Sequence, residues 1–475
     1  MTRTRFDIRN YASITAVLLV LMMTVLDGTL VNVALPSIGH ELGVSDAASV
    51  WIVTCYQLTI TMLLLPLSSA GDLQSYRRIF LWGVAIFTIA SVLCSASSGF
   101  PMLIASRTLQ GAGAACVMGV NIALTRLIYP KEVLSCGLAL NAMVIAIASG
   151  AGPTLSGAIL SVASWRLLFL INIPLGLLAF IIGKRLLPAN PPKEKHETFD
   201  WKSGIENAFF FGIIFLALGN LAHSADATLN IVLLAAGAAI GFFYVRRQRG
   251  RRYPMLPTDL FRHRLFTLCI LTSVCSFIAQ SVTLIALPFL FVQGFGFPAL
   301  TTGLLITPWP IATMITAPFA ARLADRFNPG VTAAAGMFLY SIALVSLIVM
   351  AGSGDVSLLG ITLRMTLCGI GFDLFQTPNN IAMVQAVPVE RSGGAGGMQG
   401  TARLVGQTFG ATLVTLIFAS ATPGSHPSSA CLFAALLFSI IAAIFSLSRA
   451  PRMRKQEKTS GPTIEQTSIN RKKTE

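Results

Sequence analysis

The chain has 475 residues, of which 54% are apolar and 11% are charged, and its formal net charge is +15. This charged fraction is less than half of that usual in soluble domains, which excludes an ordinary soluble protein. Since about 20 apolar residues suffice for one membrane-spanning helix, a chain of this length has room for a dozen or more.

Apolar runs separated by polar breaks predict fourteen spanning helices. In chain order these spans cover residues 12–35, 49–71, 79–98, 102–124, 136–160, 167–187, 204–222, 229–245, 265–292, 299–321, 331–351, 358–384, 395–420 and 428–448. The first run is too long for the apolar core of a signal peptide and has no small-residue cleavage site, so we expect it to be retained.

The cationic residues are distributed unevenly between the predicted loops. The 34 lysines and arginines fall in the termini, in alternate loops of one side and at the span ends beside these loops, except Arg166 on the opposite side and three arginines well inside spans. Loops rich in Lys and Arg remain cytoplasmic, so we expect a multi-pass inner (plasma) membrane protein with both termini in the cytoplasm. This placement argues against nucleic acid as a partner. The basic segment 246–264 either contacts anionic membrane lipid or only fixes the topology.

A pattern recurs in two parts of the chain. Asp72 follows span two as Asp325 follows span ten, and the glycines around Gly111 in span four resemble those around Gly369 in span twelve. Two six-helix bundles that meet at a cavity are typical of alternating access, although Gly-rich apolar helices also resemble one another by chance. The predicted parts are a cytoplasmic N-terminus (1–11), an N-terminal six-helix bundle (12–187), a central linker with spans seven and eight (188–264), a C-terminal six-helix bundle (265–448) and a disordered basic cytoplasmic tail (449–475).

Two of the 19 acidic residues, Asp27 and Asp373, fall well inside predicted spans, away from their ends. A carboxylate there costs roughly 2.5–3.5 kcal/mol on insertion scales, so each is a functional hypothesis. Burial disfavours the ionised form, so such a group can load and release a proton, and when ionised it attracts a lipophilic cation. Alternatively, Asp27 packs with Asn32 and Thr29 near the outer helix end, and Asp373 forms a buried pair with a nearby cation.

Arg107 and Arg403 are the arginines that we expect to accompany these acids. A buried guanidinium must be paired or hydrogen-bonded, and Arg107 could instead be tied to backbone carbonyls of span one or five. Amides inside the spans are the remaining candidates for lining a substrate cavity: Asn32, Gln110, Asn121, Gln376 and Asn379.

The sequence lacks the signatures of ATP hydrolysis, cofactor binding and metal binding. Gly183-Lys184 has Leu178 where the first glycine of a P-loop should stand and Arg185 where Ser or Thr is required. The eight cysteines lie in apolar runs, outside any C-x-x-C pair or histidine cluster. We therefore expect no enzyme, no cofactor and no metal site, and an ion gradient must drive any transport.

Four segments carry a resemblance to a known family. LDGTLVNVALP (26–36), LIASRTLQGAGAA (103–115), GPTLSG (152–157) and SWRLLFLINIPLG (164–176) resemble signatures of the major facilitator superfamily, specifically its 14-span drug:proton antiporters. The resemblance covers the whole chain. It implies an all-α polytopic membrane protein with the major facilitator fold, in which two six-helix bundles flank two inserted central helices (14 transmembrane helices).

The resemblance also implies roles for single residues. Asp27 lies within the first-helix signature, and Arg107 stands where the family has a membrane arginine that takes part in proton relay. Gly152, Pro153 and Gly157 belong to the antiporter motif, which suits close helix packing and could seal the bundle against proton leakage. Ser156 departs from this motif, in which a second glycine is common.

The loops after spans two and ten resemble the gating loops of the family. Asp72 with Arg77, and Asp325 with Arg326, could form inter-helix charge contacts that hold one gate state, or they could be ordinary solvated charges. The first copy is degraded, because the usual Asp-Arg-x-Gly core reads Asp72-Leu73-Gln74-Ser75.

The preferred function is proton-coupled efflux of hydrophobic, cationic drugs or toxic compounds by alternating access, with protons and a small-molecule substrate as partners. One alternative is an exporter of an anionic or zwitterionic metabolite, with Arg107 and Arg403 as substrate ligands. Another is a non-transporting membrane sensor or scaffold. Whether a periplasmic adaptor takes part stays open at this point.

Overall fold

The computed structural model describes residues 8–130, 133–188, 200–221, 227–249, 254–353, 356–387, 392–422 and 426–459. Its helices are α1 (Ile8–Leu42), α2 (Asp46–Leu73), α3 (Tyr76–Ser95), α4 (Phe100–Ile128), α5 (Leu134–Val162), α6 (Arg166–Leu170), α7 (Asn172–Leu186), α8 (Trp201–Asn220), α9 (Ala227–Gln248), α10 (Arg264–Phe289), α11 (Ala299–Ile306), α12 (Pro308–Arg326), α13 (Pro329–Ser353), α14 (Leu358–Gln385), α15 (Ser392–Ala419) and α16 (Pro427–Thr459). A 3₁₀ turn at Leu260–Arg262 precedes α10, and a π-helical turn at Leu290–Gly294 follows it.

These helices provide fourteen segments that are long and apolar enough to cross a membrane within the described residues. The sixth segment consists of α6 and α7, and the tenth consists of α11 and α12. The predicted all-α, fourteen-span fold class is therefore confirmed. The division of the chain into bundles, linker and tail remains a prediction.

The first helix is longer than its predicted span of residues 12–35. α1 continues through Pro36 to Leu42, and Glu41 near its end forms an ion pair with Arg166. His40 and Glu41 interrupt the apolar run but do not interrupt the helix, since both residues fit a helical end outside hydrocarbon.

The inserted helices α8 and α9 form a peripheral pair. α8 packs against α2 and α15, and Asn207 Nδ2 of α8 donates a hydrogen bond to the Met62 carbonyl of α2 at 2.8 Å. α9 packs against α8 and exposes Phe242 and Phe243. The pair therefore covers the seam where α2 and α15 meet.

The packing differs between the two ends of the bundle. At the end away from the N-terminus, one continuous apolar core joins both parts of the chain and includes Leu35 of α1, Val50 of α2 and Phe289 of α10. Toward the N-terminal end the core divides into one cluster around Phe80 and a separate cluster around Phe266. The apolar packing is therefore continuous across both parts of the chain at one end and divided into two clusters at the other.

The predicted antiporter motif brings α5 close to two helices. A Cβ at Gly157 would lie 2.5 Å from the carbonyl oxygen of Ala299 in α11, so only glycine allows this approach. A Cβ at Gly152 would collide with the Thr29 hydroxyl of α1. Ser156, the departure from the motif, donates its hydroxyl to the Leu30 carbonyl of α1 at 2.8 Å. Close packing is thus the role that the structure gives these positions.

The last helix extends beyond residue 449, the predicted start of the tail. α16 continues to Thr459, and Arg449 is buried between helices. Its guanidinium donates to Asn379 Oδ1 of α14, to Cys269 Sγ of α10 at 3.0 Å and to Ser446 Oγ at 3.1 Å. The charge of Arg449 suggested that this residue begins a solvated tail. Its hydrogen bonds instead offset the desolvation cost of burying the guanidinium. The predicted tail residues 460–475, like the linker residues 189–199, lie outside the described residues.

Gly157→Ala tests the contact between α5 and α11. Overpacking of this kind costs typically about 1–3 kcal/mol, so we expect a lower thermal unfolding temperature for the purified protein in detergent. Gly400→Ala in α15 is the matched control, because a Cβ there meets no atom within 4 Å. Equal unfolding temperatures for the two variants would contradict the contact.

Candidate functional site

Asp27 and Arg107 form an ion pair inside the N-terminal part of the bundle. Arg107 Nη1 of α4 lies 2.5 Å from Asp27 Oδ2 of α1, and the two side chains are 0% and 1% exposed. A charge at such a position is stable only when it is paired, because the desolvation free energy of an unpaired charge is not offset. The sequence predicted both residues, and the structure brings them together.

Two amides complete the shell around the carboxylate. Asp27 Oδ1 accepts hydrogen bonds from Gln110 Nε2 of α4 at 3.0 Å and from Asn172 Nδ2 of α7 at 2.9 Å. Gln110 also donates to Ser91 Oγ of α3 at 2.9 Å, and its Oε1 accepts from Arg107 Nη1 at 2.6 Å. Residues of α4 and α7 therefore bind the carboxyl group of α1, each of its oxygens is hydrogen-bonded, and α3 joins the network through Gln110.

The guanidinium of Arg107 has further contacts. Its Nε donates to the Ile52 carbonyl of α2 at 3.1 Å, so the carbonyl tie belongs to span two rather than to span one or five. Its central carbon lies 4.2 Å from the ring centroid of Tyr56 and 5.6 Å from that of Phe169, which places the cation over aromatic faces. Nη2 is buried and has no hydrogen-bond partner.

Sequence reasoning missed three members of this network: Ser91, Tyr56 and Asn172. The only available signal was polarity within apolar runs, which is weak for Ser and Tyr. Asn172 was the most visible, because it stands in the SWRLLFLINIPLG segment and an amide in a span needs a partner.

Asp373 of α14 is the second intramembrane acid. It is 6% exposed, its Oδ1 accepts from Thr377 Oγ1 at 3.2 Å, and its Oδ2 is buried without a partner. Among the described residues it belongs to no ion pair, so the expected alternative of a buried pair with a cation is wrong for this conformation. Asp373 thus retains an unused acceptor.

Arg403 of α15 is half-buried, and its Nε is buried without a hydrogen-bond partner. Gly396 and Gly400 lie on the same helix face at intervals of three to four residues, and a Cβ at either one meets no atom within 4 Å. Gly28 in α1, one turn before the half-buried Asn32, is equally open. These faces of α1 and α15 border open space at the glycine positions.

The predicted cavity amides divide into two groups. Asn32 and Gln376 are half-buried. Gln110, Asn121 and Asn379 are buried instead, which corrects the prediction that they line a cavity. Gln110 belongs to the Asp27 network, and Asn379 donates to Ser273 Oγ at 2.7 Å while accepting from Arg449.

The predicted gating contacts are absent from the described residues. Asp72 accepts a hydrogen bond from the Tyr76 hydroxyl, and Arg77 donates to the Lys184 carbonyl, so these two charges do not pair. Asp325 and Arg326 are exposed in the last turn of α12 and belong to no described ion pair. Asp72 and Arg77 each form a hydrogen bond with another neighbour instead. The spacing of charges in the sequence could not reveal these partners.

The sequence profile of the Major Facilitator Superfamily matches residues 17–411 and 269–471. The chain belongs to this superfamily. It is 43% identical to the uncharacterized transporter YebQ of Escherichia coli (strain K12), over 92% of this chain and 95% of that protein. This result confirms the resemblance predicted from the sequence and places the chain among transporters rather than enzymes.

Other relatives in the superfamily differ in what they carry. The chain is 27% identical to the riboflavin transporter RibZ of Clostridioides difficile (strain 630), over 84% of this chain and 86% of that one. It is 27% identical to the multidrug efflux pump LfrA of Mycolicibacterium smegmatis, over 87% and 82% of the two chains. The drug exporters among the relatives support the drug:proton antiporter branch.

The fold also matches solved structures of major facilitators. A bacterial homologue of the human lysosomal transporter Spinster, solved in an inward-facing and unoccupied conformation, superposes with a TM-score of 0.70. The match covers 94% of this chain and 98% of that one at 15% sequence identity, so it speaks to the fold alone.

A double-mutant cycle tests the buried ion pair. Arg107→Met leaves an unpaired carboxylate and should destabilise the purified protein by about 3–5 kcal/mol at alkaline pH. Asp27→Leu combined with Arg107→Met removes both charges and should recover part of this loss. Thermal unfolding of the two single variants and the double variant gives the coupling energy. Additive effects would contradict an energetic coupling between the two residues.

Proposed function

We propose that the protein exports hydrophobic, cationic drugs or toxic compounds from the cytoplasm in exchange for protons, by alternating access across the inner membrane. The observation that carries this proposal is the 2.5 Å ion pair between Asp27 and Arg107 inside the bundle. The multidrug exporters among the relatives support the same function.

Asp27 is the proposed proton carrier. Protonation would neutralise its carboxylate and leave the Arg107 guanidinium without a counter-ion in a site that is 0% exposed. A buried charge without its partner is strongly destabilised, so the two protonation states favour different arrangements of α1 and α4. The proton gradient supplies ~1.4 kcal/mol per pH unit for each proton that moves inward. The membrane potential adds ~2.3 kcal/mol per charge per 100 mV.

The substrate contact is proposed at a different acid. All hydrogen-bonding neighbours of Asp27 are already in place and the side chain is 1% exposed, so a cation cannot reach it in this conformation. This geometry does not support the sequence-based idea that Asp27 attracts a lipophilic cation as well as carrying the proton. Asp373, whose Oδ2 has no partner, supports an attraction for a lipophilic cation.

Export of an anionic or zwitterionic compound is the second candidate. The unpartnered Nε of Arg403 favours it, because Arg403 lies on a face of α15 that borders open space. Arg107 does not support this candidate, since its charge is already matched by Asp27. Membership of a transporter superfamily argues against the non-transporting sensor or scaffold.

Asp27→Asn should abolish proton-driven efflux while leaving the amount of protein in the membrane unchanged. The amide cannot carry a proton through the cycle. Ethidium efflux in everted membrane vesicles, with and without a protonophore, measures the effect, and Asp27→Glu, which keeps an acid at this position, is the matched control. Full ethidium efflux in the Asn variant would contradict the assignment of Asp27 as the proton carrier.

Asp373→Asn and Arg403→Gln separate the two substrate classes. If Asp373 binds cationic substrates, its amide variant should weaken export of doubly charged cations several-fold and spare singly charged ones. The Arg403 variant should leave cation export intact. The reverse pattern, with loss of an anionic substrate in Arg403→Gln alone, favours the second candidate. Equal losses for both kinds of cation in Asp373→Asn would remove Asp373 from the substrate site.

A further inference from the structure

The carboxyl group of Asp27 is surrounded by hydrogen-bond donors, which suits only its ionised form. Its Oδ2 faces Arg107 Nη1 at 2.5 Å, and its Oδ1 faces Gln110 Nε2 at 3.0 Å and Asn172 Nδ2 at 2.9 Å. A protonated carboxyl carries an O–H group that must itself donate. In a buried site, an O–H group that points at another donor leaves both groups unsatisfied.

Two of the three neighbours have no free acceptor atom for the O–H group. The guanidinium of Arg107 has no acceptor atom. Gln110 has one, but its Oε1 already accepts from Arg107 Nη1 at 2.6 Å, and its Nε2 also donates to Ser91 Oγ at 2.9 Å. Rotating the Gln110 amide would therefore break contacts with both of these residues.

Asn172 can change from a hydrogen-bond donor to an acceptor toward Asp27. Its Nδ2 donates to Asp27, whereas its Oδ1 is buried and has no hydrogen-bond partner. A half-turn of the amide about its terminal side-chain bond swaps these two atoms and breaks no hydrogen bond except the one to Asp27. The Asn172 oxygen would then face the carboxyl group and accept its O–H.

The other ionisable groups near Asp27 have their own partners. Tyr56 of α2 donates its hydroxyl to the Thr24 carbonyl at 3.3 Å, and Cys55 of the same helix contacts the Ile52 carbonyl at 3.7 Å. Cys94 of α3 contacts Gln110 Oε1 at 3.6 Å. From α4 the charged group is Arg107, and α5, which also packs against α1, has no acidic or basic residue in its sequence.

We propose that Asn172 is a positioning residue that donates to Asp27 in its ionised state and accepts from it in its protonated state. The proton itself comes from water, binds one carboxyl oxygen and returns to water, so no bond to Asn172 forms. This inference rests on the proposed function only in taking Asp27 as the proton carrier. Asn172 would thereby give the carboxyl group of Asp27 a hydrogen-bond partner in both protonation states.

Infrared difference spectroscopy between alkaline and acidic pH tests the switch in protein reconstituted in lipid. The C=O stretch of a protonated carboxyl reports its hydrogen bonding, and loss of the band in Asp27→Asn identifies it. Asn172→Leu, similar in volume but apolar, should shift the band to higher frequency and slow proton-driven ethidium efflux at least tenfold. Asn207→Leu is the matched control, since Asn207 is also a buried amide with an unpartnered Oδ1 but lies in α8.

Asn172→Asp keeps an acceptor at this position and removes the donor. This variant tests the proposed switch if Asn172→Leu does not fold. Two adjacent carboxyls share a proton, so the protonated-carboxyl band should persist to higher pH than in the wild type. If the Asp27 band and its titration stay as in the wild type in both Asn172 variants, the switch is overturned. If Asp27→Asn still abolishes efflux in that case, the proposed function stands without it. Full efflux in Asp27→Asn would overturn the proposed function instead.

Discussion

The buried ion pair between Asp27 and Arg107 is the constraint around which the first six spans are arranged. Neither charge is stable alone in a site without water, so α1 and α4 must lie close enough for a direct contact. Further hydrogen bonds connect two more helices to this pair. Asn172 of α7 donates to Asp27 directly, and Ser91 of α3 is reached through Gln110. One electrostatic requirement thus connects four helices, and in the proposed mechanism a single proton alters it.

The two parts of the chain use buried arginines in different ways. Arg107 is hydrogen-bonded to an amide, Gln110, and is neutralised by a carboxylate. Arg449 in the C-terminal part is also held by an amide, Asn379, but among the described residues it has no acidic partner. A proton can therefore change the charge balance around Arg107 and not around Arg449. Asp373, the acid of the second part, keeps an oxygen free for other partners.

The sequence was sufficient for the fold class and for naming the two residues of the central pair, and much less so for the contacts that they make. Hydropathy gives the number of spans because each one must satisfy its backbone within the helix, and charged residues inside spans stand out because they are costly. Which neighbour a side chain meets depends on helix rotation and packing, which hydropathy does not encode. Gln110 and Asn379 were therefore assigned to a cavity, although each binds a buried arginine.

The contacts around α5 offer a physical route from the proton site to the other part of the chain. Gly152 of α5 lies directly against Thr29 of α1, two residues beyond Asp27. On its other side, α5 meets α11 with Gly157 against the Ala299 backbone and with the Pro153 carbonyl against Gly303. Glycine contacts of this kind leave no flexible side chain to absorb a displacement. In the proposed mechanism, a shift of α1 on protonation of Asp27 would therefore displace α5 and α11 as well, at the end of the bundle where both parts share one core.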